Sequence, residues 1–157
     1  MNIINSAITG NEVTSEAESP YSALINFYHS FNHQDYDSMQ SNWLQTAAAS
    51  MSNPLGGVKR GWEEISEVYK KIFSGTATVY VEFYDYSIHT TEEMFIAVGR
   101  ERGLLQFNNE KIELAIRTSR AYCLHDEQWK QLHHHGSMDD PKKLNHYQSV
   151  LINGVNS

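Results

Sequence analysis

Gln128-Trp129-Lys130-Gln131-Leu132-His133-His134-His135-Gly136-Ser137 is the stretch on which the reading of this chain turns. Its composition is that of a strand, and it stands near the end of the chain. Side chains alternate across a strand. His133 and His135 are therefore expected to share a face with Trp129, Gln131 and Ser137, and His134 to point the other way with Lys130 and Leu132. An imidazole titrates near neutral pH, so two on one wall make a surface capable of proton transfer or hydrogen bonding. The expectation is that this wall lines a pocket.

Working outward, three more β-rich runs precede it, at 78–89, 94–102 and 111–124. His125-Asp126-Glu127 reads as the turn before the last strand, and Asn108-Asn109 falls in the loop between the middle pair. Upstream the period becomes helical. Ser19 is a natural N-cap with Pro20 behind it, and Tyr21, Leu24, Ile25, Phe27, Tyr28 and Phe31 follow on one face. Asp35 caps a shorter helix carrying Tyr36, Met39 and Trp43. A short extended piece lies within 46–52, and Asn53-Pro54-Leu55-Gly56-Gly57 is a turn. Gly61-Trp62-Glu63-Glu64 opens a third helix that buries Trp62, Ile65, Val68, Tyr69 and Ile72, places Lys70 and Lys71 in its last turn and ends at Gly75. Pro141 starts a last helix, which Gly154 is expected to stop. Residues 1–18 are polar and read as a flexible arm, and 19–154 as a single domain.

Three helices followed by an antiparallel meander make an α+β fold with helices on one face of the sheet. In the third strand, Glu113, Ala115, Arg117, Ser119 and Ala121 share one face, and Leu114, Ile116, Thr118, Arg120 and Tyr122 the other. The first set is expected to face the pocket. The second, more apolar set is expected to be covered by another copy, which makes the protein a homodimer through the outside of its sheet.

Composition narrows the function. Apolar residues make up 40% of the chain, as in a globular protein, and the net charge of −7 disfavours a nucleic-acid partner. The lone Cys123 reads as a structural thiol. No apolar run approaches membrane-spanning length and no signal peptide is legible, so a cytoplasmic protein without a membrane partner is expected.

The candidate site follows from the faces. His133 and His135 are the acid–base candidates. Arg117 and Ser119 would hold an anionic or carbonyl oxygen. Glu101, rather than Arg100, is expected to point inward and to pair with Arg117. Tyr28 sits at the cavity edge because a buried phenol needs a partner. Trp43 and Asn53 complete the binding set. Two histidines and Glu101 are a weak basis for a metal centre, so neither a metal nor a cofactor is expected. The partner is a small organic molecule, which the protein binds and could transform by acid–base chemistry. The alternative is a non-catalytic ligand-binding or association module.

Asn53-Pro54-Leu55-Gly56-Gly57 followed by Gly61-Trp62-Glu63-Glu64-Ile65 resembles the strand-to-helix corner of the nuclear-transport-factor-2-like superfamily. Ile116-Arg117-Thr118-Ser119-Arg120 and the stretch from Trp129 to Ser137 are similar to the last two strands of its ketosteroid-isomerase-like and polyketide-cyclase-like branch. The resemblance implies a cone-shaped curved antiparallel sheet wrapped around N-terminal helices, a cystatin-like α+β barrel. It also implies a pocket inside the cone and dimerisation through its outside. The isomerases of that branch carry an aspartate base before the proline of the corner. Here the position is Asn53, which cannot take a proton. Their oxyanion-binding tyrosine of the first helix falls on Phe27, with Tyr28 beside it. A steroid-isomerase mechanism is therefore disfavoured.

Overall fold

The computed structural model describes residues 1–156, with side chains as far as Asn153. Helices α1 (Pro20–Asn32) and α2 (Tyr36–Asn42) come first, then strands β1 (Ser50–Ser52) and β2 (Lys59–Arg60) and helix α3 (Gly61–Ser74). Four long strands follow, β3 (Thr78–Thr90), β4 (Met94–Phe107), β5 (Glu110–His125) and β6 (Gln128–Met138), and α4 (Pro141–Asn156) closes the chain. Local chemistry accounts for the starts. Ser19 and Ser22 form a capping box beneath Pro20, and Asp35 accepts from the Ser38 amide. Glu64 reaches back to the Arg60 amide in the acidic first turn of α3. Gly154 does not stop α4, which runs to Asn156.

One six-stranded sheet in the order β2-β1-β6-β5-β4-β3 carries the fold. The meander is antiparallel, but β1 lies parallel to β6, with Ser50 opposite His133, so the sheet is mixed. The arrangement is the expected α+β one, a curved sheet wrapped on helices. β4 continues to Phe107, with Asn108 at positive φ in the tight connection to β5, where a longer loop had been expected.

Curvature comes from bulges and glycines. On β3, Asp85 and Tyr86 together oppose Gly99, and Asp85 takes φ 48°. A Cβ on Gly99 would lie 2.6 Å from Tyr86 Cβ, and one on Gly103 would run into the Tyr80 carbonyl. The two strands approach so closely there that only glycine fits. On β6, Ala121 pairs with His133 and Tyr122 with Gln131, which leaves Leu132 as an extra residue. Alternation is therefore interrupted inside the stretch that had seemed regular. Gln131 and His134 are both buried, whereas His133 is half-buried and His135 exposed.

Two expectations about faces are corrected by this geometry. On β5 the residues Ile112, Leu114, Ile116, Thr118, Arg120 and Tyr122 are all buried under the helices, and Arg117 is exposed on the other side. The face assigned to a partner subunit is thus the inner one, and the face assigned to the pocket is the outer one. Alternation shows which residues stand together, and only packing shows which set the helices cover.

The segment expected to be a loose arm is docked instead. Ile4 and Ile8 form bridges to Tyr86 and Phe83 along the free edge of β3, and Ile8 is fully buried. Asn32 fastens it further by donating to Thr9 O at 2.9 Å and to Val81 O at 2.8 Å. An edge strand covered in this way is not available for stray pairing.

Because Gly103 faces backbone rather than a flexible side chain, Gly103→Ala should force β3 and β4 apart. The expected loss is at least about 1–3 kcal/mol, read as a lower urea midpoint at unchanged m-value.

Candidate functional site

The concave side of the sheet holds a buried polar network. Arg120 projects inward from β5, and its guanidinium lies 3.5 Å from the centroid of the Phe27 ring. Its Nη2 donates to Glu101 Oε1 at 2.9 Å and its Nη1 to Gln131 Oε1 at 2.8 Å. Its Nε donates to the Tyr28 hydroxyl at 3.2 Å. Tyr28 in turn donates to Glu101 Oε1 at 2.6 Å. Gln131 Nε2 and the Tyr122 hydroxyl both donate to Asn42 Oδ1, at 3.2 and 2.9 Å, and Asn42 Nδ2 donates to Ala23 O at 3.0 Å. One chain of bonds therefore ties α1 and α2 to β4, β5 and β6.

Charge in this network is balanced locally. Burial works against the Arg120 cation, but the surrounding phenols and Glu101 outweigh it, so its pKa lies above the ordinary arginine value. Burial likewise raises Tyr28 well above the ordinary phenol range, with Glu101 adding to the effect. Tyr69 is pushed up to about 12 by burial, partly opposed by Arg120. These phenols are donors at neutral pH, not anions.

A cavity of about 50 Å³ opens beside the network. One water needs about 10–15 Å³ measured in this way, so the space holds a few water-sized groups. Phe27, Met51, Val81, Leu114 and Ile116 supply its apolar wall, and Glu101, Arg120, His134 and Asn53 its polar end. His134 is the unusual member. Its ring is buried and its Nδ1 has no hydrogen-bond partner. Burial, reinforced by the Arg120 charge, holds its pKa well below the ordinary value, so the imidazole is neutral at physiological pH. Beyond its bonds to Tyr28, Gln131 and Glu101, the Arg120 guanidinium also acts on the nearby Tyr69 hydroxyl. Both of the bonds accepted by Glu101 fall on Oε1.

The structure divides the residues singled out from the sequence. Glu101 and Asn53 line the inner cavity, and Tyr28 stands behind it, bonded to Glu101. The ionic partner of Glu101 is Arg120, not Arg117, and Arg100 points outward to Asp85 at 2.9 Å. Trp43 is core, packed with Trp62 and Tyr69 at centroid distances of 6.3 and 6.2 Å. Asn53 Oδ1 accepts from the Leu55 amide at 3.1 Å, so its amide nitrogen is what it can offer a ligand.

The remaining four stand on the outer face. His133 Nδ1 lies 2.7 Å from Ser50 Oγ. Arg117 pairs with Asp139 at 2.9 Å and donates to Ser137 at 3.2 Å. Ser119 and His135 face each other across the β5–β6 ladder. The sheet itself separates this group from the cavity, Arg117 and Ser119 by the alternation of β5 and His133 and His135 by their places opposite Ala121 and Ser119. Arg120, His134 and Gln131 were missed as site residues. The signal for Arg120 was its place in the apolar alternation Ile112-Leu114-Ile116, which had to meet the helices. Nothing in the sequence marks Leu132 as the extra residue. Among the described residues, no group of three or more His, Cys, Asp or Glu comes together as a metal set, and no helix is long and apolar enough to cross a membrane.

Comparison with known proteins places this geometry. The family model for the SnoaL-like domain matches residues 22–141. No curated protein matches the sequence. An inferred dehydratase of the nuclear-transport-factor-2-like family from Streptomyces avermitilis superposes with a TM-score of 0.68 at 19% identity, over 73% of this chain and 90% of that one. A ketosteroid isomerase-like protein from Erwinia carotovora atroseptica gives 0.66 at 15% identity, over 82% and 100%. An inferred calcium/calmodulin-dependent protein kinase type II association domain from Thiobacillus denitrificans gives 0.64 at 19%, over 78% and 97%. At these identities the likeness is one of fold.

Two outcomes follow from the network. Arg120→Ala should cost about 3–5 kcal/mol by leaving Glu101 buried and unpaired. The double variant Arg120→Met/Glu101→Gln should recover most of that loss, measured by urea unfolding. The second concerns pH. The unfolded chain takes up a proton at residue 134 below the ordinary value of 6.5, whereas the folded chain does so only at a much lower pH. Stability from this group is therefore full above pH 6.5 and is lost as the pH falls toward the folded value. His134→Gln should flatten the acid limb below pH 6.5, by at most about 1.4 kcal/mol per pH unit.

Proposed function

The chain belongs to the SnoaL-like domain family, and on that footing we propose that it binds a small organic molecule inside the cone, with an oxygen of the ligand held at the polar end. The observation that carries this reading is a cavity with an apolar wall whose polar end gathers Glu101, Arg120, Asn53 and the neutral imidazole of His134. The guanidinium of Arg120 at the polar end suits a carbonyl or carboxylate oxygen, and the Phe27–Leu114–Ile116 wall suits an apolar body.

The same features favour binding over turnover. The position before Pro54 carries an amide. Glu101 is occupied at Oε1 by both Tyr28 and Arg120, and an imidazole held far below its ordinary pKa is a weak base. If proton transfer occurs in the cone, His134 is the group placed to accept the proton, not His133 or His135. The dehydratase and isomerase-like names of two structural neighbours accord with chemistry of this class on the same fold.

A second reading, self-association, rests on the outer face. Met94, Ile96 and Val98 are successive outward residues of β4 and each is more than a third exposed. Ala121 stands opposite Ile96 on β5. A second copy of the chain covering this stripe would make the homodimer expected from the sequence, and one neighbour is named as an association domain. Ile96→Lys should then shift the protein from dimer to monomer in sedimentation. A monomeric wild type would remove this reading.

Ligand binding is tested by titrating the isotope-labelled protein with cyclopentanone and with cyclopentane. The ketone should move the side-chain resonances of Arg120 and His134. His134→Leu should weaken ketone binding about 3–10-fold, the worth of one neutral hydrogen bond, and leave cyclopentane unaffected. Failure of the ketone to move either resonance would overturn the proposal.

A further inference from the structure

A second opening of about 270 Å³ lies at the mouth of the cone, between α3, α4 and the 53–59 segment. It shares Asn53 and Ile72 with the inner cavity, so these two residues stand between the spaces. Its floor is apolar, made by Leu55, Val68, Leu151 and Ile72. The loop that frames it is held in place, because Gln148 on α4 donates to Pro54 O at 2.8 Å.

Two lysines, Lys59 and Lys71, line this entrance, and both are exposed. Among the described residues neither has a carboxylate within ion-pair distance. The nearby acid Glu67 is bonded to Lys70 at 2.9 Å. Lys59 and Lys71 are the charged residues of the lining, although Glu67 lies within reach of the Lys71 charge, so in a chain of net charge −7 the opening itself is locally positive.

We infer that this mouth is an anion subsite, and that the ligand of the cone is an amphipathic organic anion. Its charged group rests at Lys59 and Lys71, its apolar chain passes Asn53 and Ile72, and its far oxygen reaches Arg120 and His134. This rests on the reading of the inner cavity given above and adds the ligand class to it. A carboxylate and a phosphate monoester share the required chemistry at the mouth.

The test uses 6-oxoheptanoate, its methyl ester and 6-oxoheptyl phosphate with the full-length protein, by calorimetry and by the His134 resonance. At low salt the acid should bind about fivefold or more tighter than the ester, since two exposed charge contacts are worth about 1 kcal/mol together. Added salt should erase the difference. Lys59→Gln/Lys71→Gln, a change of two exposed residues, should remove the advantage of the acid and leave the ester untouched. If the phosphate exceeds the acid, the natural anion is a phosphate monoester; if not, it is a carboxylate. Equal binding of acid and ester to the wild type, with the His134 resonance moved by both, would overturn the anion subsite and leave the inner site standing. Binding of the acid that moves only residues around Lys59 and Lys71 would sink the inner-site reading, and with it the extended ligand inferred here.

Discussion

Glu101 and Arg120 stand on neighbouring strands, and both have left water. A carboxylate and a guanidinium taken into the interior lose solvation worth several kcal/mol each, which only close pairing and full hydrogen bonding offset. The 2.9 Å contact between them, the Tyr28 hydroxyl on the same oxygen and Gln131 on the next guanidinium nitrogen provide that compensation. Each partner comes from a different element. The pairing is therefore satisfied only when α1, β4, β5 and β6 are all in place, and this fixes the helices against the sheet in one arrangement. A purely apolar core of the same volume would not discriminate between sliding positions in this way.

The cavity exists because the network ends there. Phe27 lies against the guanidinium, and beyond it the wall is aliphatic. His134 is held neutral by burial and by the same Arg120 charge that anchors Glu101. The group that anchors Glu101 thus adds to the burial that keeps His134 neutral.

Much of the architecture was legible. The caps at Ser19 and Asp35, the breaks at Gly75 and Pro141 and the four β-rich runs are local signals, and local signals survive folding. The course of Glu101 was not legible in the same way: it was expected inward as the partner of Arg117, but Arg100 stands opposite Arg117 in the ladder and Glu101 meets Arg120. The docking of Ile4 and Ile8 was not, because a pair of isoleucines in a polar segment carries no periodicity. The face of His133 and His135 was not legible either. It depends on Leu132, whose side chain is unexceptional in any strand.

What the sequence determined by itself is therefore the set of elements, their order and the α+β class, together with the grouping of alternate residues within each uninterrupted strand. These follow from nearest-neighbour chemistry: capping, turn residues and the periods of helix and strand. What only the tertiary structure decided is the side of the sheet on which each group lies. One unpaired residue in β6 exchanges inside for outside, and the helices choose the apolar side of β5 because burial there is favourable. That choice carries Arg120 and His134 into the cone and leaves Arg117, Ser119, His133 and His135 outside it.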